Sequence, residues 1–103
     1  MTAGTGPGAG AAVPPAARVT AVVHGFVQAV GFRWWTREQA RRLGVAGSAT
    51  NLPDGSVEVV VEGDRDRCEQ MVALLRSGRT PGQVDRVDLH WGRPTGVTGF
   101  SLG

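Results

Sequence analysis

Two short stretches of the sequence hold residue types that could bind and position a phosphate group. The first, residues 25–31, reads Gly-Phe-Val-Gln-Ala-Val-Gly and leads into a segment of helical periodicity that contains Arg33. Consecutive backbone N–H groups in such a loop, next to a helix N-terminus, can converge on one anion. A cation in the first helical turn opposes the helix dipole unless an anion lies between the two. These residues allow a phosphate cradle, but an ordinary loop followed by a surface arginine is the simpler interpretation of them alone.

The second stretch, residues 47–55, places Asn51 at the end of a predicted strand. Gly-Ser-Ala-Thr-Asn over residues 47–51 is followed directly by Leu-Pro-Asp-Gly. Asparagine and Pro-Asp-Gly both favour a turn, which is the simplest interpretation. Alternatively, the carboxamide of Asn51 accepts a hydrogen bond from a water molecule and holds that water near the cradle.

The other polar candidates give weaker signals. His24 precedes the cradle and could donate to a phosphate, but it is more simply a residue at the end of a strand. His90 alternates onto the outer face of a strand, and two histidines without spaced partners do not form a metal site. Cys68 shares a helical face with Met71 and Leu75, which indicates a small core residue. We therefore expect neither a metal nor a cofactor.

The length and composition favour one small domain. The chain has 103 residues, and residues 1–17 carry no charge and consist almost entirely of glycine, alanine, proline and threonine. Such a segment buries too little apolar surface to offset the entropy of ordering it, which predicts a disordered tail at 1–17 and a folded domain at 18–103. The tail has neither a charged start nor an unbroken apolar run, so it does not resemble a signal peptide, and a cytoplasmic protein is expected.

The charges argue against a nucleic-acid partner. Eleven basic residues, all arginine, face nine acidic ones, for a formal net charge of +2. The two signs are interspersed, whereas a nucleic-acid site gathers one sign on one face. The run Arg37, Arg41 and Arg42 is most simply the outer face of an amphipathic helix.

Hydrophobic periodicity and turn residues divide the domain into alternating strands and helices. The predicted strands cover residues 18–24, 45–51, 56–62 and 86–91, with a short last strand at 100–102; the helices cover 32–43 and about 65–76. Gly44 is the predicted C-cap of the first helix, and Asp64 is the predicted N-cap of the second. In the strand at 56–62, Glu58 and Glu62 are expected to face outward into solvent. Trp34 and Trp35 cannot both point into the core, so at least one is expected to be exposed.

This order of elements predicts an α+β fold, the ferredoxin-like split βαβ (βαββαβ) sandwich. In that arrangement two helices cover one face of an antiparallel sheet. Many unrelated functions use this fold, so the architecture alone assigns none.

Two motifs make the sequence resemble one family. The pattern Val23-x-Gly25-x-Val27-Gln28-Ala29-Val30-x-Phe32-Arg33 resembles the signature of acylphosphatases, enzymes that hydrolyse the carboxyl–phosphate bond of acyl phosphates. A second motif of that family resembles residues 47–63, where Asn51, Gly55, Val57 and Gly63 lie at the expected separations. The resemblance covers residues 18–102 and carries the same fold.

The resemblance implies roles for individual residues. Arg33 would bind the phosphate together with backbone amides, and Asn51 would position the attacking water. The amides implied are those of Phe26, Val27, Gln28, Ala29, Val30 and Gly31. The implied reaction uses no metal, no cofactor and no covalent phosphoenzyme. Its partners would be a small-molecule acyl phosphate and the product inorganic phosphate, with no nucleic acid and no membrane, and the protein is expected to be a monomer.

Two departures from the family pattern keep an alternative open. Ala29 stands where the family has glycine, and a Cβ at a positive φ costs roughly 1 kcal/mol. Ser48 stands where an aromatic residue is usual, which affects the packing expected beside Asn51. The alternative is a catalytically degenerate module that binds phosphate without turnover. An RNA-binding domain of the same architecture is a weaker alternative, because the strand at 56–62 has no aromatic residue on which a base could stack.

Overall fold

The computed structural model describes residues 15–103. Its elements are β1 (Ala16–Phe26), α1 (Phe32–Leu43), β2 (Ala46–Asn51), β3 (Val57–Asp64), α2 (Arg65–Leu75), β4 (Gln83–Gly92) and β5 (Phe100–Leu102). The predicted order of strands and helices is confirmed. The expected tail lies mostly outside the described residues, and β1 begins at Ala16, two residues before the expected start of the first strand.

The five strands form one sheet in the order β4-β1-β3-β2-β5. The β1–β3, β1–β4 and β2–β3 pairs are antiparallel, as expected. The prediction of a wholly antiparallel sheet is wrong at one edge, because β5 pairs with β2 in parallel. A three-residue strand has no pattern that sets its direction; here the chain crosses from β4 to the opposite edge before β5 begins. This crossing brings residues 100–103 beside the end of β2.

Both helices pack on one face of the sheet, and alternation along the strands supplies the core beneath them. The side chains of Val19, Val23, Val59 and Val61 point inward and are almost fully buried. They join one apolar cluster that includes Phe32 and Ala40 of α1 together with Cys68, Met71 and Leu75 of α2. The core assignment of Cys68 is confirmed. This packing holds the N-terminus of α1 against the end of the sheet where β1 and β2 terminate.

The helix ends follow the sequence closely, with one exception. Gly44 caps α1 in the left-handed conformation and donates to the carbonyls of Ala40 and Arg41. Asp64 occupies the N-cap position of α2, but its side chain makes no capping hydrogen bond. It lies instead 3.5 Å from Nε of Arg67. The expected capping contact is therefore wrong, although the start of the helix is correct.

The two adjacent tryptophans differ in exposure, as expected. Trp35 packs on Phe32, with ring centroids 5.9 Å apart, whereas Trp34 is 58% exposed. Arg37 differs from expectation, because it is only partly exposed and its Nε atom is buried; Arg41 and Arg42 are exposed.

Glu62 also differs from expectation. Its position on β3 faces away from the helices, as predicted, but its side chain is only 5% exposed. The carboxylate accepts hydrogen bonds from the backbone N–H groups of Thr95 and Gly96 and pairs with Arg18. The segment between β4 and β5 therefore covers the outer face of the sheet at this point, and Glu62 holds it there.

Candidate active site

The loop predicted as the cradle lies between the end of β1 and the start of α1. The pairing of β1 with β4 shifts between His24 and Gly25, which turns the chain as it leaves the sheet. Gly25 has φ +138°, and a Cβ there would collide with the carbonyl oxygen of Gln83. Phe26, expected in the cradle, is the last residue of β1 and pairs with Gln83. The loop outside the sheet is therefore residues 27–31.

Ala29, the first departure from the family pattern, lies in a backbone conformation that favours glycine. Ala29 has φ +60° and is the only non-glycine residue with positive φ among residues 15–103. Gly31, the N-cap of α1, has φ +83°. Position 29 therefore has the positive φ at which a Cβ was expected to be unfavourable. Glycine accommodates this left-handed conformation best, and alanine occupies it at a cost of about 1 kcal/mol. The loop forms with this residue in place.

The loop leaves polar hydrogens free to bind an anion. Among residues 15–103, no hydrogen bond is donated by the backbone N–H groups of residues 27–31 to a protein acceptor. The first turn of α1 has no acidic residue and no side-chain cap. Arg33 stands in that turn, and a pocket of about 120 Å³ opens beside it. Val27, Ala29 and Gly31 of the loop line this pocket together with Arg33. Unpartnered amides, the positive end of a helix and a guanidinium in one small region suit a phosphate.

Asn51 ends β2 at the same end of the sheet and is linked to Arg33 through a third residue. The carbonyl oxygen of Gly103 accepts a hydrogen bond from the backbone N–H of Asn51, 3.1 Å away. The same oxygen accepts a hydrogen bond from Nη1 of Arg33. One atom therefore brings together the two residues singled out in the sequence. Nothing in the sequence pointed to Gly103, because its contribution is a backbone carbonyl.

The side chain of Asn51 offers an unused acceptor. Its Oδ1 atom is buried and has no hydrogen-bond partner among the described residues. A buried acceptor without a partner costs on the order of 1–3 kcal/mol, so such an atom in a native site calls for a ligand. A water molecule has the donors that this oxygen lacks.

Gln28 connects the cradle to the turn after Asn51. Its Nε2 atom donates to the carbonyl of Leu52 at 2.8 Å and to the carbonyl of Ser56 at 2.9 Å. The turn is held from within by Asp54, whose Oδ1 accepts the backbone N–H of Ser56 at 2.9 Å. The side-chain and backbone hydrogen bonds from Ser56 lower the pKa of Asp54 below its usual range. Gln28 thereby fixes the cradle relative to the strand end that carries Asn51, a role that the sequence did not reveal.

Ser48, the second departure, does not adjoin the Asn51 side chain on β2. Successive side chains of a strand point to opposite faces, so residues three apart face opposite ways. Ala49, which shares the face of Asn51, is fully buried. Ser48 pairs with Val60 on one side and Ser101 on the other. The serine therefore leaves the helix-facing surroundings of Asn51 unchanged.

The weaker candidates take no part in this site. His24 lies with Nε2 3.1 Å from Oδ2 of Asp88, on the outer face of the sheet. His90 is exposed. Cys68 is buried, and its burial raises the pKa of the thiol, so it is a poor nucleophile. Within residues 15–103, no three histidine, cysteine or acidic side chains are grouped as metal ligands, and no helix there has the length and apolar character needed to cross a membrane.

Comparison with known proteins decides the family. The model of the acylphosphatase family matches residues 19–102. The chain belongs to the acylphosphatase family. It is 61% identical over 85 residues to an acylphosphatase of Saccharopolyspora erythraea, covering 82% of this chain and 90% of that protein. It is also 61% identical over 84 residues to one of Thermobifida fusca, covering 81% and 92%. The crystal structure of acylphosphatase from Bacillus subtilis matches with a TM-score of 0.79 at 27% identity, covering 84% of this chain and 98% of that one.

Membership of the acylphosphatase family gives the reaction. The protein is an enzyme that hydrolyses acyl phosphates, and the family resemblance and the fold expected from the sequence are confirmed. The comparisons do not favour the phosphate-binding module without turnover. Family membership also sets aside the RNA-binding domain considered from the architecture.

Proposed function

We propose that this acylphosphatase hydrolyses small acyl phosphates by direct attack of one positioned water on phosphorus. The backbone amides of residues 27–31 and the guanidinium of Arg33 bind the phosphate oxygens, and Asn51 holds the water. The main-chain oxygen of Gly103 carries the proposal, because it accepts hydrogen bonds from both the Arg33 guanidinium and the Asn51 backbone N–H. It engages one of the five N–H donors of Arg33 and leaves the others for phosphate.

To catalyse this reaction, the protein needs mainly to orient the water and to stabilise the charge of the transition state. The water oxygen forms a bond to phosphorus while the bond from phosphorus to the carboxylate oxygen breaks. The carboxylate leaves with the bonding electron pair, and both water hydrogens pass to the phosphate product. Because a carboxylate is a weak base, it leaves without a general acid. A loose transition state also needs little activation of the water, so orientation and electrostatic stabilisation suffice.

Turnover of benzoyl phosphate in the presence of a chelator tests this proposal. Arg33→Lys should lower kcat/KM about a hundredfold or more, because a point charge cannot replace the planar fork. Asn51→Ala should lower kcat more than it weakens inhibition by inorganic phosphate, because its role is to hold the water. Arg41→Lys, an exposed arginine in the last turn of the same helix, serves as the matched control.

Two outcomes would contradict the assigned roles. Turnover near the wild-type rate in Arg33→Lys would remove Arg33 from the phosphate site. Loss of phosphate affinity in Asn51→Ala, with kcat preserved, would show that Asn51 binds phosphate instead of water.

The proposal also covers the setting of the enzyme. We expect a cytoplasmic monomer that binds no nucleic acid. The exposed arginines of α2 support the absence of nucleic-acid binding. Arg65 pairs with Glu69 and Arg67 with Asp64, so these arginines do not form a uniform basic stripe. Size-exclusion chromatography with light scattering tests the monomeric state, and fractionation of the source cells tests the cytoplasmic location.

A further inference from the structure

The pocket at the cradle has an apolar wall that phosphate binding does not use. Besides Ala29, Gly31 and Arg33, it is lined by Val27, Phe32, Trp34 and Leu102. Phosphate interacts with amides and a guanidinium and gains nothing from hydrocarbon or an indole ring. The pocket therefore combines a cationic part with an apolar part, and an acyl phosphate has an anionic phosphate to meet the first and an acyl group to meet the second.

Trp34 is the part of this wall that the fold does not require. The buried face of α1 is formed by Phe32, Thr36 and Ala40, and the neighbouring Trp35 packs on Phe32. Trp34 contributes little to that core, since it is 58% exposed. A large aromatic surface left in water at the rim of a pocket is typical of a contact for a ligand.

The size of the pocket places the acyl group next to this ring. At about 120 Å³ the pocket is smaller than the roughly 300 Å³ at which ordinary ligand pockets begin. A phosphate bound by the cradle leaves little room, so the acyl group must extend past the rim. Trp34 lines this pocket together with Arg33, so its side chain borders the same space as the proposed phosphate ligand.

We propose that Trp34, backed by Leu102, is the specificity-determining contact for the acyl group and selects flat apolar acyl groups over small ones. This inference rests on the function proposed above. An aromatic acyl group can lie against the indole, which stabilises both the bound substrate and the transition state. An acetyl group is too small to cover the ring and gains much less.

The ratio of kcat/KM for benzoyl phosphate to kcat/KM for acetyl phosphate tests this inference. In Trp34→Ala the ratio should fall by about three- to tenfold, the range expected for loss of one aromatic contact, and the change should lie mainly in KM. Trp34→Phe should retain most of the ratio, because it keeps an aromatic face. Val97→Ala, which shortens another exposed apolar side chain (42% exposed) outside the pocket lining, should keep the wild-type ratio.

The outcomes separate this inference from the function on which it rests. If wild-type protein hydrolyses both compounds and the ratio is unchanged in Trp34→Ala, the acyl contact is wrong while the proposed function stands. If the wild-type protein hydrolyses neither compound, the proposed function fails and the inference fails with it. A ratio that falls in Trp34→Ala and is retained in Trp34→Phe supports the contact.

Discussion

The buried carboxylate of Glu62 predicts a specific dependence of stability on pH. Burial alone raises the pKa of this group. Hydrogen bonds from four groups outweigh that effect and lower the pKa from 4.5 to about 2; the donors are the Thr95 backbone, Arg18, the Thr95 hydroxyl and the Gly96 backbone. The charged form is therefore favoured in the folded protein. Glu62→Gln removes the charge and keeps the shape of the side chain, so it isolates this contribution.

The size of the effect follows from the difference between the two pKa values. One pKa unit corresponds to about 1.4 kcal/mol, so the shift corresponds to roughly 3 kcal/mol. The Arg18 side chain is 29% exposed, and solvent screening weakens its part of the interaction. We therefore expect the free energy of unfolding of Glu62→Gln to lie about 2 kcal/mol below wild type at pH 7.

The sign and the pH window follow from linkage. A group whose folded pKa is lowered stabilises the protein above its unfolded pKa, here 4.5, and loses that contribution as the pH falls through the folded pKa of about 2. The gap between wild type and Glu62→Gln should therefore be constant from pH 7 to about pH 5. It should shrink progressively as the pH falls below about 5 towards the folded pKa of about 2.

Urea unfolding at several pH values, followed by tryptophan fluorescence, measures this gap. Glu58→Gln is the matched control, because Glu58 lies on the same strand and points to the same face without the contacts to Thr95 and Gly96. Its gap to wild type should be small at every pH. A gap for Glu62→Gln that persists undiminished at pH 3, or an equal gap for Glu58→Gln, would refute the assigned role of the carboxylate.

Two further predictions concern the cradle. Gln28→Ala should lower the free energy of unfolding by about 1–3 kcal/mol, since two carbonyls lose their donor. The same variant should lower kcat/KM about tenfold, because Asn51 loses its fixed position relative to the cradle. Urea unfolding measures the change in stability and steady-state kinetics the change in kcat/KM, with Gln39→Ala on α1 as control. An unchanged kcat/KM in Gln28→Ala would contradict the role of Gln28 in positioning Asn51. Ala29→Gly should change the free energy of unfolding by less than about 1 kcal/mol, because relief of the positive φ is offset by the greater freedom of glycine in the unfolded chain. Its kcat/KM should stay within about threefold of wild type, and activity seen only in the glycine variant would show that the natural chain is not a working enzyme.

The strands, the helices and the faces of their side chains could be read from local sequence, because they depend on periodicity and on caps. The alternation of Val57, Val59 and Val61 predicted β3, and Gly44 predicted the end of α1. What covers each face depends on distant residues. Glu62 was placed on the correct face, but its burial comes from Thr95, 33 positions away, and no local pattern records that contact.

The same distinction separates the predicted from the unpredicted parts of the site. Side-chain type and position made Arg33 and Asn51 candidates, beside a glycine-bounded loop and at a strand end, and the resemblance to acylphosphatases implied their roles. Gly103 and the two carbonyls held by Gln28 contribute only backbone oxygens, which every residue possesses. One of Trp34 and Trp35 was expected to be exposed, but the pocket beside Trp34 depends on Leu102, which the parallel pairing of β5 brings to the site.

The pairing of β5 links the edge strand to the two proposed catalytic residues. The hydrogen bonds from Gly103 N–H to the Ala49 carbonyl, at 2.9 Å, and from Asn51 N–H to the Gly103 carbonyl, at 3.1 Å, hold the end of β5 against β2. Successive carbonyls of a strand point to opposite sides, so a shift of one residue would turn this oxygen away from Arg33. Glu62 anchors the segment that leads into β5 from the other side of the sheet. The placement of Arg33, the proposed phosphate ligand, is thus coupled to a carboxylate on the opposite face, through the register of a three-residue strand.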